Sequence, residues 1–352
     1  MIKVLGLALY GPLAASTRYR LSQYTPGLAS MGIDLQIRYL LGDDYLRQLF
    51  DGDGRSRQSI LRGVLARISH LTRLNAYDLV ILYCELFPLM PAWLERVLIR
   101  LPYIYDFDDA FYLKYRKPGF RGVQSILDTK FENLIRGASA VTAGNHVLTA
   151  FARRFNDQTI LLPTVVDTTR YLRSEKFRRV EGFTIGWIGS PSTAPYLAQL
   201  VQPLSEFGLE SHVRLIVIGG KAPAIANVEV VEIAWQESTE IDLLNQFDVG
   251  VMPLPDDEWA RGKCAFKLIQ YMACGIPVIA SPVGANIDVV SPNSGFLAST
   301  SEEWLGALRQ LRDNPIVRSR MGEAGRRRVV DNYSLTRGLP LLAQVIRKVA
   351  GK

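Results

Sequence analysis

The sequence predicts an α/β protein built as two doubly wound domains, on three observations. Strand-like apolar runs alternate with helix-like runs from end to end, the pattern of βα units in a parallel sheet. The chain has 352 residues, more than the roughly 250–300 at which one hydrophobic core stops growing. A charged stretch without periodicity, residues 173–181, separates two series of such units.

In order, residues 4–9, 35–40, 79–83, 103–105, 140–143 and 159–162 read as the strands of the first series. Residues 184–188, 213–218, 228–233, 249–252 and 277–280 read as those of the second. The domains are therefore set at 1–172 and 180–334. The tail Tyr333-Ser334-Leu335-Thr336 carries a helix-cap signal and an apolar period follows it to Val349. Residues 335–352 are expected as a closing helix that packs back on the first domain.

Composition narrows the function classes. Hydrophobic residues make up 48% and charged residues 21%, and no apolar run reaches the ~20 residues that span a bilayer. The start, Met-Ile-Lys-Val-Leu-Gly-Leu-Ala-Leu-Tyr, reads as a first strand, so the protein is expected in the cytoplasm. Cys84, Cys264 and Cys274 have no metal-ligand spacing and His70, His146 and His212 lie far apart, so neither a disulfide framework nor a metal site is expected. A net charge of +7 favours anionic partners. Nucleic acid is the weakest of these, because the basic residues are not interleaved with aromatics.

The first strand runs into Gly11 and then a helix start bearing Arg18 and Arg20, candidates to meet a phosphate or an anionic acceptor. Next, Ile60, Leu61, Val64, Leu65, Ile68 and Leu71 share one helical face with Arg62 and Arg73 opposite. Residues 57–75 are thus a candidate contact with an anionic membrane surface, an ordinary core-packed helix being the alternative. Asp106, Asp108 and Asp109 end the fourth strand-like run. Three carboxylates so close repel one another unless cations or hydroxyls meet them, or unless they cap the next helix. In residues 261–284 an amide-rich loop leads into a short helix, a Gly275-Ile276-Pro277 break and a buried strand. A helix start so placed, with Lys263 and Lys267 four residues apart, suits a diphosphate.

Residues 261–284, with Phe247-Asp248-Val249-Gly250-Val251-Met252-Pro253-Leu254 before them, resemble the donor-binding region of retaining glycosyltransferases of family 4 type. That family has the GT-B fold, two Rossmann-like domains facing a cleft. Residues 138–145, which end at Asn145, look like its strand and turn closing the first domain. Leu162-Pro163-Thr164-Val165-Val166-Asp167 looks like its interdomain passage, and Gly186-Trp187-Ile188-Gly189-Ser190 like its first donor strand and loop.

The resemblance implies transfer of a sugar from a UDP-, GDP- or dTDP-linked donor to a glycan or lipid-linked hydroxyl, with retained anomeric configuration and no metal or other cofactor. Gly189, Ser190, Thr193, Cys264, Ala265, Phe266 and Gln270 would bind the donor. Lys263 and Lys267 would stabilise the leaving diphosphate, and Asp108 and Asp109 would orient the acceptor or sugar hydroxyls. Gly11, Arg18, Asp106 and Asn145 would line the acceptor side or the cleft.

The family usually carries two glutamates separated by seven residues, the first touching the sugar and the second holding the ribose. Here Gly262 and Gln270 stand at those positions. An amide can still serve a ribose, but without the first carboxylate either backbone N–H groups hold the sugar unaided or turnover is lost. The family's diphosphate-gripping arginine and lysine after Gly189 are replaced by Ser190-Pro191-Ser192-Thr193-Ala194-Pro195. A catalytically silent nucleotide-sugar-binding paralogue is therefore the first alternative, and a nucleotide-sugar epimerase the second.

Overall fold

The computed structural model describes residues 1–51, 56–116, 124–174 and 182–351. Most of the charged stretch at 173–181 lies outside them. Contacts divide the chain into one unit of Met1–Thr164 with Leu335–Lys352 and a second of Val165–Ser334.

Each unit holds a six-stranded sheet in which every pairing is parallel, as the βα repetition predicts. In the first unit the strands are β1 (Ile2–Tyr10), β2 (Ile33–Leu41), β3 (Leu79–Tyr83), β4 (Tyr103–Phe107), β5 (Ala140–Ala143) and β6 (Thr159–Leu161), in the order β2-β1-β3-β4-β5-β6. In the second they are β7 (Phe183–Ile188), β8 (Val213–Ile218), β9 (Glu229–Ile233), β10 (Val249–Met252), β11 (Val278–Ala280) and β12 (Gly295–Leu297), in the order β12-β11-β10-β7-β8-β9. The sequence reading has no counterpart to β12, a three-residue edge strand too short to show a period.

Strands buried on both faces explain the continuous apolar runs. Along β8, Ile216 and Ile218 enter one core with Ile188, Met252 and Leu268, while Leu215 and Val217 enter the opposite core with Trp187, Leu204 and Phe207. The helix Phe266–Ala273 is buried from Leu268 onward and ends where Gly275 takes φ +69, the left-handed stop expected of glycine before Pro277.

The closing helix Leu335–Val349 belongs to the first unit, where Leu339 fills the space left by Gly27 and Arg347 donates to the Met31 carbonyl at 3.0 Å. Residues 57–72 form the expected helix, whose apolar stripe is split, Ile60, Val64 and Leu71 being half-buried and Leu61, Leu65 and Ile68 exposed. Gly63 lies against the Leu40 carbonyl and Arg67 is fully buried, donating to the Ala8 and Arg38 carbonyls. Leu61 is 60% exposed and Leu65 58%. Among the described residues, no helix is long and apolar enough to cross a membrane.

Candidate functional site

In the second unit the chain leaves β7 for β8 on one side and later returns to β10 on the other. The carboxyl ends of β7 and β10 therefore flank the point where strand order reverses, where open α/β sheets hold their ligands. Trp187, Thr193, Met252, Leu254, Lys263 and Lys267 line a small concavity there.

Local geometry explains why these residues converge. Gly189 follows β7, and a Cβ at that position would run into the Trp187 indole and come within 2.9 Å of Lys267 Cε. Its absence lets both side chains close over the strand end, with Lys267 Nζ 5.3 Å from the Trp187 ring centroid. Ser190 and Thr193 fold into a tight turn. Thr193 N–H donates to the Ser190 carbonyl at 2.9 Å, and Ser190 N–H to Thr193 Oγ1 at 3.3 Å. The turn holds the Thr193 hydroxyl at the rim.

Lys263 does not stand on the helix with Lys267, as the sequence reading places it. Ala265 takes the left-handed conformation at φ 53, which breaks the chain between the helices Glu258–Arg261 and Phe266–Ala273. Lys263 sits in that break, its N–H donating to the Ala260 carbonyl, with Nζ 6.0 Å from the Trp259 ring centroid. It still reaches the concavity that Lys267 lines. Cys264 and Ala265 are buried beside it and Phe266 is half-buried.

Gln270 is only 4% exposed. Its amide nitrogen donates to Glu240 Oε1 at 2.9 Å and to the Tyr171 hydroxyl at 3.1 Å. The Tyr171 hydroxyl and Trp235 Nε1 also donate to the Glu240 carboxylate. One buried carboxylate thus fixes which way the Gln270 amide points. The sequence reading passes over Glu240, Tyr171 and Trp235, which lie far from residue 270 along the chain.

In the first unit the acidic cluster at the end of β4 does meet a cation and hydroxyls. Arg20, 2% exposed, pairs with both oxygens of Asp106 and donates to the Leu162 carbonyl at 2.7 Å. Thr142 Oγ1 donates to Asp106 at 2.6 Å. Arg20 is therefore not placed to meet a phosphate, and Asp106 supports the strand ends from beneath. Asp108, half-buried, accepts from the Tyr83 hydroxyl at 2.5 Å, and Tyr83 also bonds Ser16. Burial, opposed by Arg20 and reinforced by Asp109, pushes the Asp108 carboxyl up to about 6. Asp109 follows, also half-buried.

The remaining first-unit candidates have local duties. Gly11 makes room for Asp43, which accepts from Leu13 N–H at 2.8 Å. Arg18 donates to the Pro12 and Leu13 carbonyls at 2.7 and 2.8 Å. Asn145 caps the helix His146–Arg153 by accepting from Leu148 N–H at 2.8 Å. Tyr83 and Trp187 are the aromatic residues at strand ends that the sequence reading misses. A large aromatic closing a buried strand beside a glycine or an acidic cluster is the signal that points to them.

Residues 182–314 match the family model described as glycosyl transferases group 1. No curated protein matches the sequence. Among solved structures, Anabaena HepE in complex with UDP-glucose aligns with a TM-score of 0.72 at 15% identity, covering 99% of this chain and 100% of that one. Sucrose-phosphate synthase from Thermosynechococcus elongatus aligns at 0.68 with 16% identity and 99% of each chain, and a glycosyltransferase from Rickettsia africae at 0.69 with 13% identity, 99% of this chain and 98% of that one. The fold is GT-B, that of its glycosyltransferase neighbours.

Proposed function

We propose that the protein is a retaining glycosyltransferase that moves a sugar from a nucleotide diphosphate donor to a hydroxyl on a glycan or lipid-linked acceptor. The observation that carries this is the meeting of Lys263, Lys267 and Thr193 over Trp187 at the strand-order reversal of the unit that matches the group 1 model. Two ammonium groups in one concavity balance the charge that a departing nucleoside diphosphate develops. With that charge supplied by side chains, the reaction is proposed to need no metal. HepE, a fold neighbour, is known with UDP-glucose bound, which makes a UDP-sugar the first donor to try.

In this reading Gln270 offers its amide oxygen to the ribose while Glu240 holds its nitrogen. Backbone N–H groups at residues 264–266 take the place of the carboxylate that Gly262 lacks. The acceptor binds the first unit, where Asp108 and Asp109 orient its hydroxyl, and a donor phosphate oxygen receives the hydroxyl proton. Retention rests on the resemblance of residues 261–284 to retaining enzymes.

Thermal stabilisation by UDP-, GDP- and dTDP-sugars tests the donor site, because ligand at 100 times its dissociation constant adds about 2.7 kcal/mol. One donor should stabilise the wild type, and Lys263→Ala and Lys267→Ala should each weaken that effect. No shift with any nucleotide sinks the reading. The missing carboxylate at Gly262 favours one second reading, a silent nucleotide-sugar-binding protein. Stabilisation without release of free nucleotide, in the presence of glycan and lipid-linked acceptors, would establish it.

A further inference from the structure

We propose that one face of the first unit, formed by the helices Arg57–Thr72 and Ala92–Leu98, docks on an anionic membrane surface. This goes beyond the donor chemistry and needs none of it. A water-facing helix ordinarily buries its leucines, whereas the first of these helices half-buries Ile60, Val64 and Leu71 and leaves Leu61, Leu65 and Ile68 exposed. Its buried side is Gly63, lying against the Leu40 carbonyl, and Arg67. Its outer stripe is Leu61, Leu65 and Ile68 at i, i+4 and i+7, with Ile68 48% exposed. Arg57 precedes Leu61 by one turn on that stripe, and Arg62 and Arg73 border it, all exposed.

The second helix repeats the arrangement. Glu95 is buried, accepting from Leu86 and Phe87 N–H at 2.9 and 3.1 Å and pairing with Lys130 at 2.8 Å. Trp93 and Val97, one turn apart, are 65% and 64% exposed. The two helices lie in the connections from β2 to β3 and from β3 to β4, which run the same way across the parallel sheet, so right-handed crossovers place both on one side of it. Buried polar groups pin both from beneath while Leu61, Leu65, Ile68, Trp93 and Val97 stay exposed.

Charge selects the occupant. Between residues 57 and 105 the exposed charged side chains are Arg57, Arg62, Arg73, Arg96 and Arg100 against Asp78 alone. Apolar side chains including a tryptophan, set among arginines with almost no acid, complement anionic headgroups over an acyl boundary.

Sedimentation with vesicles tests the proposal on the full chain without any substrate. Phosphatidylcholine vesicles carrying one-quarter phosphatidylglycerol should bind the protein, pure phosphatidylcholine vesicles should not, and high salt should weaken binding. Arg62→Ser should lower the partition coefficient about fivefold, and the triple variant Leu61→Ser/Leu65→Ser/Ile68→Ser about a hundredfold. The substituted residues are exposed, so an unchanged unfolding midpoint identifies a folded triple variant. Absence of binding to anionic vesicles at low salt overturns the proposal, as does binding that the folded triple variant retains. Self-association that the triple variant abolishes, without vesicle binding, would assign the face to a second copy of the chain instead.

Discussion

Restoring the glutamate of the family pattern by Gln270→Glu should destabilise the protein at neutral pH and spare it in acid. The Gln270 nitrogen lies 2.9 Å from Glu240 Oε1, and both residues are 4% exposed. Replacing that nitrogen with a carboxylate oxygen sets two charges at this separation, a repulsion of about 6 kcal/mol at an effective dielectric constant near 20. Keeping a proton on one carboxyl at pH 7 costs about 3.7 kcal/mol relative to an unfolded pKa near 4.3. Protonation is the smaller cost, so the folded variant binds one proton more than its unfolded chain. A folded pKa raised in this way gives stability that is whole below the unfolded pKa and lost as pH rises.

The expected deficit against wild type is therefore about 3–4 kcal/mol at pH 7, falling by about 1.4 kcal/mol per pH unit to about 1 kcal/mol at pH 5. Urea unfolding of both proteins at pH 5, 6 and 7, followed by tryptophan fluorescence, measures it. A deficit independent of pH, or no deficit at pH 7, would refute the buried contact between Gln270 and Glu240.

Three other outcomes follow from the geometry. With its carboxyl pushed up to about 6 by burial, Asp108 favours the folded state below about pH 4 and withdraws that support as pH climbs through 6. Asp108→Asn should remove this component from the melting temperature measured across pH 4–8, and an unchanged profile would contradict the assignment. Arg20→Ala leaves Asp106 buried without its guanidinium and should cost about 3–5 kcal/mol in urea unfolding, a loss under 1 kcal/mol being incompatible with the pair. Gly189→Ala forces Trp187 and Lys267 apart, a strain of about 1–3 kcal/mol. It should weaken nucleotide-sugar binding about tenfold by titration calorimetry, and wild-type affinity would remove Lys267 from the site.

What the sequence made legible is what neighbours along the chain decide. Gly275 and Pro277 announced the end of one helix and the start of β11, and the βα alternation announced parallel sheets. The carboxylates of β4 announced by their repulsion that partners must exist, without saying which. Arg20 and Asp106 stand 86 positions apart and Gln270 and Glu240 30 apart, so no local period links them. The stripe of residues 60–71 was legible as a stripe, but its direction was not. Packing of Gly63 against the Leu40 carbonyl decides that, and a hydrophobic period is blind to backbone contact. At Lys263 the helix rule failed because Ala265 adopts a left-handed turn that alanine rarely takes.

The second unit starts and ends in one place. Val166 and Ser334 form a parallel bridge, and Val166 N–H donates to the Tyr333 carbonyl at 3.0 Å. Residues 165–334 are thus an insertion whose two ends emerge side by side, threaded into a host made of the chain's beginning and its last helix. Such a piece can be cut out as one continuous segment, and ends already adjacent ask little of the residues that would rejoin the host. With the donor on the second unit and the acceptor on the first, as proposed above, a chimera carrying the corresponding segment of a relative should inherit that relative's nucleotide preference while keeping the host's own acceptor. On that assignment the two halves of specificity become separately exchangeable.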